Sequence, residues 1–427
     1  MTQSSGSDNA RGRYALRALN FFMADMQSGI GPFVGVYLLA HGWQNGPIGS
    51  VITIGSIAGV LFTTPAGAWV DGSRNKRWIV VISGLAAVVA SSIILVSQQF
   101  WPVAVSQVAT TIAGAAVGPA VTGMTLGMFR QAGFNRQLGI NQAYNHAGNA
   151  VGAAISGFLG WQFGLKAVLW LALAFGIISV ACVLMIPRAQ IDDRAARGLR
   201  SSGGPEARAS GFAVLWSCKP LLVLAATLVI FYLGNGAMYS LYALAVVNAK
   251  QGDPSVFVAT TVVVAQVTMV FASLLAMRLV SKRGAWFVIL VSLMVLPIRA
   301  LLAPHLIVGW GVFPMQILDG VTSGLHTVAI PVLVARILNG TGRINTGQGA
   351  IVTAQSAGAA LSPAIGGWIA QWSGYTTAFY VLGACAVLSI VIWTTLAPAF
   401  KPMRTIAATK KSRARRRTRR SVTVSSS

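Results

Sequence analysis

Apolar runs of membrane-spanning length follow one another from residue 16 to residue 398, separated only by short polar or Gly/Pro breaks. No feature of this chain restricts its fold more. In hydrocarbon every backbone N–H and C=O must find its partner within the protein, so such runs form helices, and about 20 residues suffice to cross a bilayer. The runs read 16–40, 46–70, 77–98, 100–129, 136–161 and 164–187, then 219–247, 254–280, 283–303, 306–336, 345–371 and 375–398. Breaks fall at Gly42 to Pro47, Gln98 to Pro102, Gly160 to Gly164, Gly252 to Pro254, Pro304 and Gly374. Only 9% of residues are charged and the mean hydropathy is +0.68. A soluble domain carries about 25% charged residues to cover its surface, so a soluble enzyme is excluded. The first 12 residues are polar and run directly into the first apolar segment, and no cleavable leader is expected.

The polar segments divide the chain. The expected organisation is a disordered stretch at 1–13, a six-helix bundle at 14–187, a linker at 188–212, a second six-helix bundle at 213–398 and a disordered basic tail at 399–427. The linker holds Asp192, Asp193, Arg194, Arg197, Arg200, Glu206 and Arg208 among Ser and Gly. With both termini cytoplasmic, every one of the 32 Lys and Arg residues except Lys166, Lys250 and Arg299 falls in a cytoplasmic end or loop. This is the charge bias that orients membrane proteins, and shifting the assignment by one helix would scramble it. The expected location is therefore the cell inner membrane. The +24 net charge is a topological signal, which argues against nucleic acid as a partner. Ten basic residues between Lys401 and Arg420 suit anionic lipid headgroups.

The two halves are related in sequence. Gly139 to Trp170 resembles Gly349 to Tyr380 without a gap at an offset of 210 residues, with Gly148 on Gly358, Gly157 on Gly367 and Gly164 on Gly374. Gly29, Gly31 and Tyr37 fall on Gly234, Gly236 and Tyr242, and Gly114 and Gly118 on Gly320 and Gly324, at nearly the same offset. Parallel repeats in an apolar chain mark carriers whose solute site lies between the halves.

Between spans two and three stands Gly67-Ala68-Trp69-Val70-Asp71-Gly72-Ser73-Arg74-Asn75-Lys76-Arg77. It resembles the loop motif of the major facilitator superfamily, Gly-x-Leu-Ala-Asp-Arg-x-Gly-Arg-Lys. Gly67, Asp71 and Lys76 match; Trp69, Arg74 and Asn75 depart. The resemblance covers residues 14–398. It implies an all-α membrane protein of 12 transmembrane helices in two pseudo-symmetric bundles, working as a monomeric carrier with no cofactor and no enzymatic activity. It also implies a cytoplasmic gate at Gly67, Asp71 and Lys76, where the Asp71 charge meets the free amides of a helix start near Asn345. In span five, Gly148, Gly152 and Gly157 resemble the superfamily's antiporter motif, as do Gly358, Pro363 and Gly367 in span eleven. Small residues at this spacing also let helix backbones touch. The family's helix-four Arg has no counterpart, since Thr110 stands at that position.

Ionisable side chains at membrane depth are costly and usually face a cavity. Those here are Asp25 in span one, His146 in span five, and Asp319 and His326 in span ten, with Arg299 the one deep cation. Asn141, Gln142, Asn145, His146 and Asn149 form a polar stripe on span five, and Asn235 and Gln355 add amides elsewhere. The resemblance places spans one, four, seven and ten around the central cavity. The expected proton-coupling and solute-cavity residues are therefore Asp25, Asp319, His326, Asn235, Asn145, His146, Asn149 and Gln355. A carboxylate in such a cavity exchanges protons nearer neutral pH. No nucleotide-binding loop is present, and Cys182, Cys218 and Cys385 are too scattered for a metal site or a disulfide framework. The expected function is proton-coupled export of a small cationic or neutral solute. The alternatives are a divalent-metal exporter using Asp25, Asp319 and a histidine, and a sensor or scaffold that moves nothing.

Overall fold

The computed structural model describes residues 6–24, 30–73, 75–192, 218–338 and 344–397. Among these residues there is no β-strand. The helices are α1 (Gly6–Ala24), α2 (Ile30–Ala40), α3 (Asn45–Gly72), α4 (Lys76–Val96), α5 (Phe100–Ala115), α6 (Val117–Phe163) and α7 (Leu165–Met185). They continue as α8 (Lys219–Asn235), α9 (Met238–Asn248), α10 (Pro254–Arg283), α11 (Ala285–Leu302), α12 (Val312–Ile337) and α13 (Ile344–Leu396). These make the twelve spans. α1 with α2 forms span one, and α8 with α9 forms span seven. α6 divides at Arg130, where φ is 50° and ψ −178°, into the end of span four and the whole of span five. α13 divides at Gly374 into spans eleven and twelve.

Chain reversal at the repeat-related ends of spans five and eleven uses one backbone solution twice. Gly164 has φ 82° and ψ 165°; Gly374 has φ 82° and ψ 163°. Only glycine occupies that region without strain. The loop before α10 closes by a different device: Asp253 caps the helix by accepting hydrogen bonds from the N–H groups of Ser255 (2.9 Å) and Val256 (3.1 Å).

Side-chain exposure fits a lipid solvent. Val89, Leu61 and Phe271 are all more than 60% exposed on the outer surface of the bundle. Trp101, Trp161, Trp310 and Trp372 stand exposed near one set of turns, Trp69 and Trp78 near the other. This is the aromatic belt expected at the two bilayer interfaces. The face at the Gly72 to Lys76 turn is called the basic face below.

Helical backbone starts at Gly6, within the stretch expected to be disordered. Tertiary contact explains it: Gly12 packs against Gln190, and the Arg13 guanidinium lies 5.6 Å from the Phe129 ring centroid. Of the expected linker, only the part to Asp192 is described. It opens with a single 3-10 turn at Arg188–Gln190, and Asp192 pairs with Arg130 at 3.4 Å. The rest of the linker and the basic tail lie outside the described residues.

Repeat-related glycines do repeat-related work. A Cβ on Gly148 would fall on the carbonyl oxygen of Phe21 in span one, and a Cβ on Gly358 would fall on that of Val229 in span seven. In each bundle the fifth helix therefore lies backbone to backbone on the first. Gly148→Ala and Gly358→Ala should each cost about 1–3 kcal/mol through overpacking. Gly139→Ala and Gly349→Ala, a second repeat-related pair, should be neutral, because a Cβ there meets nothing within 4 Å. Melting temperatures of the four detergent-solubilised variants test this; equal shifts in all four would contradict it.

Candidate functional site

The two bundles meet on the face opposite the basic one. Spans two and eleven cross there so closely that a Cβ on Gly49 would fall on the Pro363 carbonyl, and one on Gly367 on the Asn45 carbonyl. Side chains stitch the crossing. Tyr375 Oη donates to Asn45 Oδ1 (3.0 Å), Trp368 Nε1 to Ser50 Oγ (3.0 Å), the Gly46 N–H to Gln371 Oε1 (2.9 Å) and the Ala364 N–H to Thr53 Oγ1 (2.9 Å). Spans five and eight form the symmetry-related crossing, where Gly157 and Gly160 take the side chains of Ala259 and Ser255. His146 Nδ1 and Gln266 Oε1 bridge the same pair of spans at 3.2 Å, nearer mid-membrane.

Toward the basic face the bundles leave space. A cavity of about 450 Å³ lies between α3 and α13, lined by Ser56, Gly59 and Thr63 on one side and Thr353, Ser356 and Ala360 on the other. A second, of about 260 Å³, is enclosed by α8, α12 and α13 and shares Val352 with the first. Both span seven and span eleven are adapted to this meeting point. Span seven breaks at Gly236, and the Ala237 N–H donates to Ser362 Oγ at 2.7 Å. A backbone group freed by the break is thereby satisfied inside the membrane.

The deep charges form a pair. Arg299 of α11 donates through Nη1 to Asp319 Oδ1 of α12 and also, at 3.3 Å, to Asn235 Oδ1 of α8. Arg299 is 1% exposed, and the Asp319 side chain 16%. Arg299 Nε and Nη2, and both amide atoms of the fully buried Gln316, find no partner among the described residues. Buried polar groups left unpaired at this depth are unfavourable. His326 lies two turns beyond Asp319 along the same helix. It is 3% exposed, its Nδ1 lies 3.4 Å from Tyr232 Oη, and Phe231 packs edge-on against it at 5.0 Å.

The polar residues of span five have several partners. Asn141 turns into the bundle and donates to Thr125 Oγ1 (3.0 Å), Gln142 is exposed, and Asn149 donates weakly to Asn145 (3.4 Å). On span five, Asn141 thus pairs within its own bundle, while His146 pairs with Gln266 of the other. Gln355 lines the smaller cavity. Asp25 lies outside the described residues, as do the side chains of Asp71 and Asn345. A Cβ on Gly67 would meet nothing within 4 Å among the described residues. Lys76 is buried, donating to the carbonyls of Val70 (3.2 Å) and Ser73 (3.0 Å) at the end of α3. Among the described residues no three His, Cys, Asp or Glu converge on a metal-sized site. The choice of Arg299 as the partner of Asp319, and the seal between spans two and eleven, were not anticipated. Two lone charges of opposite sign in adjacent spans were the available signal for the pair.

Twelve spans in two related bundles, joined on one face and hollow toward the other, have the architecture of a membrane carrier. The Major Facilitator Superfamily model matches residues 17–345, and the chain belongs to that superfamily. Two uncharacterized MFS-type transporters of Mycobacterium tuberculosis, from strains CDC 1551 / Oshkosh and ATCC 25618 / H37Rv, are each 34% identical over 386 residues, or 90% of this chain and 92% of theirs. Among solved structures, the nucleoside transporter NupG superposes with a TM-score of 0.74 at 13% identity, covering 91% of this chain and 98% of that one. A bacterial homolog to the human lysosomal transporter Spinster, inward-facing and unoccupied, superposes with a TM-score of 0.68 at 13% identity, covering 93% and 98%. These two likenesses are likenesses of fold.

Proposed function

We propose that this protein is a secondary active carrier of the inner membrane, with both termini cytoplasmic, that couples solute movement to protons by alternating access. The observation that carries the reading is the one-sided meeting of the bundles: backbone contact and three hydrogen bonds between spans two and eleven, with a fourth from span twelve to span two, on one face, and cavities on the other. With the basic face cytoplasmic, this is an inward-open carrier. Gate closure on that face brings the end of α3, with Asp71, toward the start of α13. Gly67 supplies the close approach in that closed state.

Asp319 and Asp25 are the proton-exchanging carboxylates of this proposal. Asp319 exchanges by trading its Arg299 partner for a proton or a solute group. Because Arg299 compensates Asp319, the centre carries little net charge, which favours a neutral solute over a cationic one and weakens a metal-export role. Export is the direction suggested by the antiporter-like Gly358 to Gly367 segment. The shared fold with a nucleoside transporter makes uridine one solute to include in a screen.

Flux in proteoliposomes under an imposed pH gradient tests the coupling. Wild-type protein should accumulate its solute against a concentration gradient, and Asp25→Asn should keep its melting temperature while losing that accumulation at least tenfold. Gradient dependence unchanged in Asp25→Asn would remove Asp25 from the mechanism. Solute movement indifferent to pH in wild type would remove proton coupling altogether.

A further inference from the structure

We propose that the cavity enclosed by α8, α12 and α13 is a binding site for an uncharged solute that presents a planar ring and a hydrogen-bonding edge, held by Tyr232 and His326. The proposal rests on the carrier reading above and adds the chemical class of what is carried.

None of the residues lining this cavity is Asp, Glu, Lys or Arg. Its polar groups are those of Tyr232, Ser323, His326, Thr327, Gln348 and Gln355; aliphatic side chains and Pro331 complete the wall. An ion held here would find no countercharge among the lining residues, which is unfavourable wherever the apolar walls exclude its water. Arg299 and Asp319 are bound to each other in this structure, and neither lines the cavity. An uncharged solute escapes that cost.

Shape and hydrogen bonding narrow the class. Tyr232 and His326 both line the cavity with ring centroids 5.9 Å apart, backed by the buried Phe231, and offer aromatic surface on which a flat ring gains contact area and stacking. One ring nitrogen of His326 is engaged by Tyr232, while Nε2 has no partner among the described residues. A buried polar atom left unsatisfied is unfavourable, and a solute group that reaches it replaces the missing bond. Gln348 and Gln355 are seven residues apart, two helical turns on one face of α13, and both line the cavity. Amides so placed offer donors and acceptors to hydroxyl, carbonyl or amide edges. A volume of about 260 Å³ admits a small molecule of one ring with substituents.

The test uses the purified full-length chain in nanodiscs and four probes of similar size: nicotinamide and uracil, which are neutral, nicotinate, an anion, and 1-methylnicotinamide, a cation. Direct calorimetric binding at pH 7 should show at least one neutral probe binding at least tenfold more tightly than either ion. Tyr232→Phe, which keeps the ring, and Gln355→Ala, on the opposite wall, should each weaken that binding about tenfold. His326→Ala should weaken it further; its melting temperature is measured in parallel, and the other two variants stand if it fails to fold. An ion that binds as tightly as the neutral probes, no binding by either neutral probe, or binding indifferent to both Tyr232→Phe and Gln355→Ala overturns the proposal. Flux measurements keep the two readings apart. Protein that moves a solute but binds ions here refutes the uncharged site alone; protein that binds nicotinamide through Tyr232 and moves nothing refutes the carrier reading alone.

Discussion

Asp319→Asn is expected to destabilise the protein by about 3–5 kcal/mol and to abolish solute flux. The stability loss follows from what remains. Arg299 is 1% exposed, so neutralising Asp319 strands a guanidinium among apolar helices. Asn235 alone, at 3.3 Å, is a neutral acceptor and does not compensate a charge. Removing both charges behaves differently. A buried ion pair replaced by apolar side chains of similar volume is often near neutral in stability. Arg299→Met combined with Asp319→Leu should therefore recover most of the lost melting temperature without recovering gradient-driven flux. Thermal unfolding in detergent and proteoliposome flux, measured on the same preparations, separate the two effects. A double variant that is stable and transports at the wild-type rate would make the pair purely architectural. An Asp319→Asn variant with wild-type melting temperature would mean that Arg299 is compensated elsewhere.

The second large effect lies at the seal. Gly367→Leu is expected to prevent spans two and eleven from closing, because even a Cβ at this position would fall on the Asn45 carbonyl. A leucine forces the backbones apart, and the bonds from Tyr375 to Asn45 and from Trp368 to Ser50 break together. The basic-face-open state seen here loses its closing contact, so the protein should populate the opposite state and flux should fall by at least two orders of magnitude. Single cysteines reporting on either face provide the measurement. In the variant, a cysteine at Ser56 should lose reactivity from the basic face, and one at Thr53 should gain it from the other. Unchanged labelling on both faces, with intact flux, would show that this crossing is not a gate. Tyr375→Phe should give a smaller shift in the same direction, since it removes one bond and keeps the packing.

Much of the architecture was legible in the chain alone. Apolar runs of sufficient length have one solution in hydrocarbon, the helix, so the spans and their breaks could be read directly. The 210-residue repeat carried geometric meaning that the structure shares: Gly148 and Gly358 touch equivalent first-span carbonyls, and Gly164 and Gly374 adopt the same positive-φ turn. These are local demands. A glycine is needed wherever backbones touch or φ is positive, whatever lies across the gap.

Partner choice was not legible. Arg299 reads in sequence as an exception to the charge bias, and Asp319 as a cavity carboxylate; only the packing of α11 on α12 makes each the explanation of the other. Asn45, Ser50, Thr53, Gln371 and Tyr375 are ordinary polar residues near helix ends until a crossing more than 300 residues apart in sequence joins them. The polar residues of span five share a stripe by periodicity, yet His146 reaches Gln266 in the other bundle while Asn141 turns to Thr125 in its own. Periodicity determines which residues share a helix face. Which neighbour that face meets, and which polar group thereby finds its hydrogen bond, is decided by how the helices pack, because in a membrane an unsatisfied polar group is costly and the available partners are set by tertiary contact.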